Sequence, residues 1–83
     1  FGEHVRGWRM VLGLTAQQVS ERAGITRDTL RKIESGNPNV SFNSVTQVLR
    51  ALGILDQLVD AADPLASDIG RLRAGRLART RAR

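Results

Sequence analysis

The chain has 83 residues, of which 41% are hydrophobic and 25% are charged, and it contains no cysteine. This composition is typical of one small folded domain, and it excludes disulfide bridges, thiolate metal sites and cysteine nucleophiles. The sequence has no apolar run of the roughly 20 residues that a membrane span needs, and it has no signal-peptide pattern. We therefore expect a cytoplasmic protein that makes no membrane contact.

The net charge of +5 is unevenly placed along the chain. Residues 1–70 carry seven basic and eight acidic side chains, whereas residues 71–83 carry six arginines and no acid. Because the larger part is nearly neutral, overall basicity is weak evidence for a polyanionic partner. The pattern of residues in the individual helices is therefore the better indicator of a nucleic-acid partner.

The first segment is predicted to be an amphipathic helix that ends at Gly13. Its apolar side chains follow one another at spacings of four, three and four residues: Phe1, Val5, Trp8 and Leu12. Because Trp8 belongs to this stripe, we expect its ring in the core and not stacked on a ligand.

A second, short helix is predicted over residues 16–23. Thr15 and Gln18 form the T-x-x-Q capping box, which satisfies free backbone amides where a helix begins. Gly24 then ends the helix, because glycine readily adopts the left-handed conformation that closes helices.

The third predicted helix, residues 27–35, follows Thr26 as its N-cap and has two distinct faces. At about 100° per residue, its side chains fall on two arcs, of which one carries both apolar residues. The packing arc comprises Thr29, Leu30, Ile33 and Glu34. The exposed arc comprises Arg27, Asp28, Arg31, Lys32 and Ser35.

Two further helices are predicted before residue 63. Ser41 caps the fourth, which ends near Gly53 and carries an apolar stripe of Phe42, Val45, Val48, Leu49 and Leu52. The fifth, over residues 54–62, has a wider apolar surface than a small monomer easily covers. This surface either closes the core or forms a dimer interface through Leu55, Val59 and Ala62.

Residues 63–83 are predicted to be an arginine-rich extension, because Pro64 breaks the helical pattern. A short apolar stripe is present in this segment: Leu65, Ile69 and Leu72. Gly70 and Gly75 oppose a helix there, since each costs about 1 kcal/mol relative to alanine.

Four spaced motifs together resemble one family: Gly13-Leu14-Thr15, Ala23-Gly24-Ile25-Thr26, Ile33-Glu34-Ser35-Gly36 and Leu52-Gly53. The chain is similar to the phage repressor and Cro family of helix-turn-helix proteins, also called the xenobiotic response element family. The resemblance implies an all-α, five-helix, lambda-repressor-like DNA-binding domain over residues 1–62. It also implies that the third helix enters the major groove of double-stranded DNA. By composition, residues 63–83 would follow this domain as a basic C-terminal tail.

The resemblance further implies roles for individual residues. The base-reading positions are Arg27, Asp28 and Lys32, and Arg31 lies on the same arc. Arginine pairs bidentately with guanine, and aspartate accepts a hydrogen bond from cytosine N4. The positions expected to bind phosphate are Thr15, Ala16, Gln17, Asn37 and Asn39. Arg9 and Glu34 match a family ion pair between the first and third helices. Without the motif, such a charged face is usually only solvated surface.

The chain offers no catalytic site, no metal site and no cofactor site. It contains no nucleophile paired with a base, no paired carboxylates and no metal-ligand cluster, so we expect a protein that is not an enzyme. His4 stands alone and is expected at the surface.

Two functions stay open at this point. The first is a transcriptional regulator, in most such proteins a repressor, that binds an operator as a homodimer with half-sites about one helical turn apart. The second is the DNA-binding antitoxin of a type II toxin-antitoxin pair, similar to HipB-like proteins, which holds a toxin through residues 63–83. For this basic tail, a disordered solubilising end, phosphate contacts on DNA and docking on an acidic protein are all compatible with the composition.

Overall fold

The computed structural model describes residues 1–66, 68–73 and 75. Within these residues all regular structure is helical, and no helix is long and apolar enough to cross a membrane. The helices in chain order are α1 (Gly2–Val11), α2 (Ala16–Ala23), α3 (Arg27–Glu34), α4 (Phe42–Ala51), α5 (Leu55–Ala62), a 3₁₀ turn (Pro64–Ala66) and α6 (Asp68–Leu72).

The all-α prediction is confirmed, and five helices lie within residues 1–62. The predicted count of five is nevertheless exceeded, because α6 forms in the segment that we expected to be a tail. α6 lies against the preceding 3₁₀ turn at Gly70, where a Cβ atom would overlap with the carbonyl group of Pro64. The apolar stripe of this segment contributes little to a core: Leu65, Ile69 and Leu72 are all exposed.

Three helices begin at the residues predicted to cap them. The hydroxyl oxygens of Thr15, Thr26 and Ser41 each accept a hydrogen bond from the backbone amide three residues later. At the start of α2 the Gln18 side chain accepts a hydrogen bond from the Thr15 amide at 2.9 Å, which completes the capping box. These bonds satisfy amides that a helix start otherwise leaves unpaired.

The turn between α2 and α3 depends on Gly24. Its φ angle of +69° lies in the left-handed region, which side chains with a Cβ rarely adopt. The Gly24 amide donates to the Glu21 carbonyl, and the Ile25 amide donates to the Ser20 carbonyl. This closed turn brings α3 back against α2 within three residues.

The core is built from the apolar faces of the first four helices. α2 packs mainly on α4, and α1 packs mainly on α3. The buried hydrophobic side chains are Val5, Val19, Ala23, Leu30, Ile33, Val48, Leu49 and Leu52. The predicted packing face of α3 is therefore confirmed, as is the greater part of that of α4.

The prediction for α1 was wrong at Trp8, which is 39% exposed. Phe1 and Leu12, from the same stripe, are exposed as well. α1 contacts α3 through the side that carries Gly2 and Val5, and Trp8 lies about 60° from Val5 on the far side of that contact. Trp8 therefore lies at the edge of the core.

The start of α4 also differs from the prediction, whereas α5 leaves part of its apolar surface exposed. Phe42, at the first position of α4, is 73% exposed, because side chains in a helix tilt toward its N-terminus and here that direction leads beyond the core. α5 has no fully buried residue, although Leu55 and Leu58 pack partly against the core. α5 is thus the least buried of the first five helices.

Gly2 lies in direct contact with the end of α3. A Cβ atom at this position would overlap with the backbone carbonyl oxygens of Ile33 and Glu34. Gly7, in the middle of the same helix, has open space where its Cβ atom would be. The close approach of α1 to α3 therefore requires glycine at position 2 and not at position 7.

Ser20 is 3% exposed, and in the described structure its hydroxyl has no hydrogen-bond partner. A buried hydroxyl without a partner costs roughly 1 to 3 kcal/mol, and alanine is also the better helix former. We therefore expect Ser20→Ala to raise the free energy of unfolding by about 1 kcal/mol and Tm by roughly 5 °C.

Urea and thermal unfolding of the whole chain would measure this effect. The matched control is Ser41→Ala, the same chemical change at a hydroxyl that caps α4. Loss of that cap is expected to lower stability by about 1 kcal/mol. If Ser20→Ala destabilised the protein as much as Ser41→Ala does, the Ser20 hydroxyl would have to be hydrogen-bonded in solution.

Candidate nucleic-acid interface

α3 presents one buried and one exposed face. Leu30 and Ile33 are buried in the core, whereas Arg27, Asp28 and Arg31 are exposed. Arg27 occupies the first helical position, and within the described part of the chain it makes no ion pair and no side-chain hydrogen bond. Its five donors are free to bind an external acceptor.

Three of the predicted base-reading residues are bonded to one another. Asp28 accepts from Arg31 at 2.6 Å and pairs with Lys32 at 3.3 Å, one helical turn further along. Arg31 and then Lys32 hold the pKa of the Asp28 carboxyl below its ordinary value. The carboxylate is therefore charged at neutral pH and partly neutralises two cations of this face.

Arg9 and Glu34 join α1 to the end of α3. The Arg9 Nε donates to Glu34 Oε2 at 2.8 Å, and Nη2 donates to Oε1 at 3.2 Å, so the pair is bidentate. Nη1 also donates to the Leu14 carbonyl at 3.3 Å. Only 16% of the Arg9 side chain and 13% of the Glu34 side chain are exposed. The hydrogen bonds that Arg9 donates to Glu34 raise the pKa of the Arg9 guanidinium above its ordinary value.

A groove with a volume of about 610 Å³ lies between α1 and α3. Arg6 and Arg9 line it from α1, and Arg27, Asp28 and Arg31 line it from α3. Reasoning from the sequence did not single out Arg6. The sequence feature that could have identified Arg6 is its position three residues before Arg9, because this spacing places both side chains on one side of a helix.

The residues predicted to bind phosphate lie at the start of α2 and in the loop before α4. The Thr15 hydroxyl accepts from the Gln18 amide but keeps its own hydrogen as a donor, and the Gln17 side chain donates to Glu21 at 2.8 Å. In the loop the Asn37 side chain accepts from the Asn39 amide at 2.8 Å, which leaves its NH₂ group exposed. Ala16 is partly buried beside the groove.

The predicted dimer residues are not equivalent in the structure. Leu55 packs partly against the core of its own chain, whereas Val59 is 59% exposed and Ala62 is also exposed. Val59 and Ala62 are therefore the two that are available to a second molecule. His4 is exposed, as predicted.

Comparison with known proteins identifies the unit around this groove. Residues 1–62 match the family model described as a helix-turn-helix domain. The chain belongs to the helix-turn-helix domain family. The helix-turn-helix unit itself is α2, the Gly24 turn and α3.

One relative carries the same helix-turn-helix designation. It is an uncharacterized HTH-type transcriptional regulator of Methanothermobacter thermautotrophicus, 39% identical over 49 residues, which cover 59% of this chain and 71% of that protein. No solved structure matches the chain significantly.

Part of the predicted tail lies outside the described residues of this helix-turn-helix protein. Arg71 pairs with Asp68 on α6. The other arginines beyond Arg73 are not among the described residues: Arg76, Arg79, Arg81 and Arg83. The roles suggested for residues 63–83 in binding DNA or a toxin stay predictions.

Proposed function

We propose that this chain is a transcriptional regulator that binds specific sequences of double-stranded DNA and reads the major groove with the exposed face of α3. The two-faced α3 is the observation that carries the proposal. Leu30 and Ile33 anchor the helix, while Arg27 and Arg31 project from the surface. The major groove admits an α-helix, and the guanidinium group matches the acceptors of guanine there.

Each polar residue of the exposed face has a distinct proposed role. Arg27 donates to guanine O6 and N7, because its guanidinium makes no bond within the described structure. In the complex, Arg31 and Lys32 bind acceptors of the DNA instead of the Asp28 carboxylate. The carboxylate then accepts a hydrogen bond from cytosine N4. Until that exchange, the carboxylate weakens the attraction of this face to arbitrary phosphates, which favours discrimination over bulk affinity.

Phosphate contacts on the flank orient the protein. The amides of Ala16 and Gln17 at the start of α2, with the Thr15 hydroxyl, suit one phosphate, since helix N-termini attract anions. The NH₂ groups of Asn37 and Asn39 suit a second contact. Such bonds set the register of the protein on the duplex and carry no sequence information themselves.

We further propose that the protein acts as a symmetric dimer and represses the promoter that it occupies. Exposed Val59 and Ala62 on α5 supply apolar surface for the dimer contact. Two copies related by a two-fold axis would bind half-sites about one helical turn apart.

The proposal is tested by selecting DNA sites from a random duplex pool and measuring binding by fluorescence anisotropy. We expect the chain to prefer the selected site over scrambled DNA by at least ~10³-fold. Arg27→Gln is expected to reduce that preference by roughly tenfold or more, because a bidentate arginine–guanine contact contributes about 1 to 3 kcal/mol.

Arg22→Gln is the matched control, because it removes the same charge from an exposed residue outside the groove. It is expected to leave the preference unchanged. The proposal is wrong if no site is enriched. If sites are enriched but Arg27→Gln behaves like Arg22→Gln, the assignment of Arg27 is wrong.

A further inference from the structure

The groove between α1 and α3 carries two cations whose charge is not cancelled. Arg9 is paired with Glu34, and Arg31 is paired with Asp28. Arg6 and Arg27, which line the same groove, have no ion pair within the described part of the chain. The groove therefore has an excess of two positive charges and suits an anion.

The position of Arg6 is set by the contact between α1 and α3. Gly2, Arg6 and Arg9 follow one another at spacings of four and three residues, so they lie on one side of α1. Gly2 touches the carbonyl groups at the end of α3, and Arg9 is bonded to Glu34. Because both neighbours are held, the backbone of Arg6 is held beside α3 as well, and its exposed side chain projects from that fixed base.

The ligand chemistry follows from the donor and its surroundings. A guanidinium forms bidentate hydrogen bonds with phosphate oxygens. Arg6 lies on α1, which flanks α3 and is not the helix proposed to read the bases. A backbone phosphate next to the base pairs that α3 reads is the group that this position suits.

We propose that Arg6 binds a phosphate of the DNA backbone and positions α3 in the major groove. This inference rests on the proposed function. The helix-turn-helix unit would then hold phosphates from two helices, through Arg6 on α1 and through the start of α2. Arg6 adds affinity for any duplex and does not discriminate between sequences.

The test is the dependence of DNA affinity on salt, measured with the full chain on its selected site and on scrambled DNA. Each phosphate contact contributes about 0.9 to the slope of log affinity against log salt concentration. Arg6→Gln is expected to make the slope shallower by about 0.9 on both duplexes, with the ratio of the two affinities unchanged. Arg6→Lys keeps the charge and is expected to restore most of the slope.

Arg22→Gln is again the control with the same loss of charge, and its slope is expected to match that of the wild-type chain. Equal slopes for Arg6→Gln and Arg22→Gln would overturn the proposal for Arg6 while leaving specific binding intact. A change in the affinity ratio on Arg6→Gln would also overturn it, because Arg6 would then read bases. A wild-type chain that prefers no sequence would contradict the proposed function instead, and the slope comparison would still decide whether Arg6 contacts phosphate.

A free phosphate ion has the same chemistry as the DNA backbone, and NMR distinguishes the two sources. The Nε–H signal of Arg6, assigned by its absence in Arg6→Gln, is expected to shift on addition of duplex DNA. Inorganic phosphate at matched ionic strength is expected to leave it in place. Saturable shifts with inorganic phosphate alone would overturn the assignment to DNA and make the groove a small-anion site.

Discussion

Glu34→Gln is expected to lower the free energy of unfolding by about 3 kcal/mol and Tm by roughly 15 °C. The change leaves the Arg9 guanidinium without its counter-charge, and only 16% of that side chain is exposed to water. Removing one partner of a mostly buried pair is costly because the other charge stays largely shielded from water. Urea unfolding, followed by circular dichroism, measures the loss.

The double variant Arg9→Met with Glu34→Leu separates a stranded charge from lost packing. Because it removes both charges and keeps apolar volume, it is expected to recover most of the stability that Glu34→Gln loses. Glu21→Gln, an exposed carboxylate on α2, is expected to change stability by no more than about 0.5 kcal/mol. A loss of that small size for Glu34→Gln as well would show that the ion pair does not hold α1 on α3.

Gly2→Ala is expected to destabilise the protein by about 2 kcal/mol and to lower Tm by roughly 10 °C. The added methyl group would overlap with the carbonyl oxygens of Ile33 and Glu34, which belong to backbone and cannot rotate away. α1 would have to shift or lose its first turn. Thermal unfolding is the measurement, and Trp8, the single tryptophan of the chain, gives an additional fluorescence signal from α1.

The control for this prediction is Gly7→Ala in the same helix. Its methyl group would enter open space, so the higher helix propensity of alanine is expected to raise stability by roughly 0.5 to 1 kcal/mol. The two variants therefore make one chemical change with opposite signs. Stabilisation by both would contradict the close approach of α1 to α3 at Gly2.

The helices and their ends were largely predictable because local chemistry determines them. Thr15, Thr26 and Ser41 precede amides that have no carbonyl partner within their helix, and each hydroxyl accepts a hydrogen bond from one of these amides. Gly24 was predicted to end α2 for an equally local reason, its left-handed backbone. Hydrophobic spacing then identified which side of α3 packs against the core, including Leu30 and Ile33.

The arrangement of the helices was less predictable, because it depends on contacts between distant residues. The apolar stripe on α1 has the spacing of a helix, yet Trp8 is partly exposed. The reason is that α1 contacts α3 through the side that carries Gly2 and Val5. The requirement for glycine at position 2 comes from carbonyl groups more than 30 residues away in the chain. Ser20 resembles an ordinary polar helix residue until α2 packs on α4 and buries its hydroxyl.

The candidate site was predictable in part for similar reasons. The exposed arc of α3 follows from helical geometry, and the spacing of Asp28 from Arg31 and Lys32 by three and four residues permits the observed pairs. Which arginines keep an uncancelled charge is a property of the folded groove. Arg6 therefore gains its significance only when α1 lies beside α3.

On α3, the side chains that pack in the core and the side chains that face solvent are different residues. Leu30 and Ile33 hold the helix in place, and the Arg9–Glu34 pair holds its end, without help from the four outward-facing positions. Under the proposed function, new side chains at positions 27, 28, 31 and 32 are therefore expected to change the preferred DNA sequence at little cost in folding. On this proposal, such a scaffold can acquire a new target by a few exchanges on one helix while its core residues and the Arg9–Glu34 pair stay unchanged.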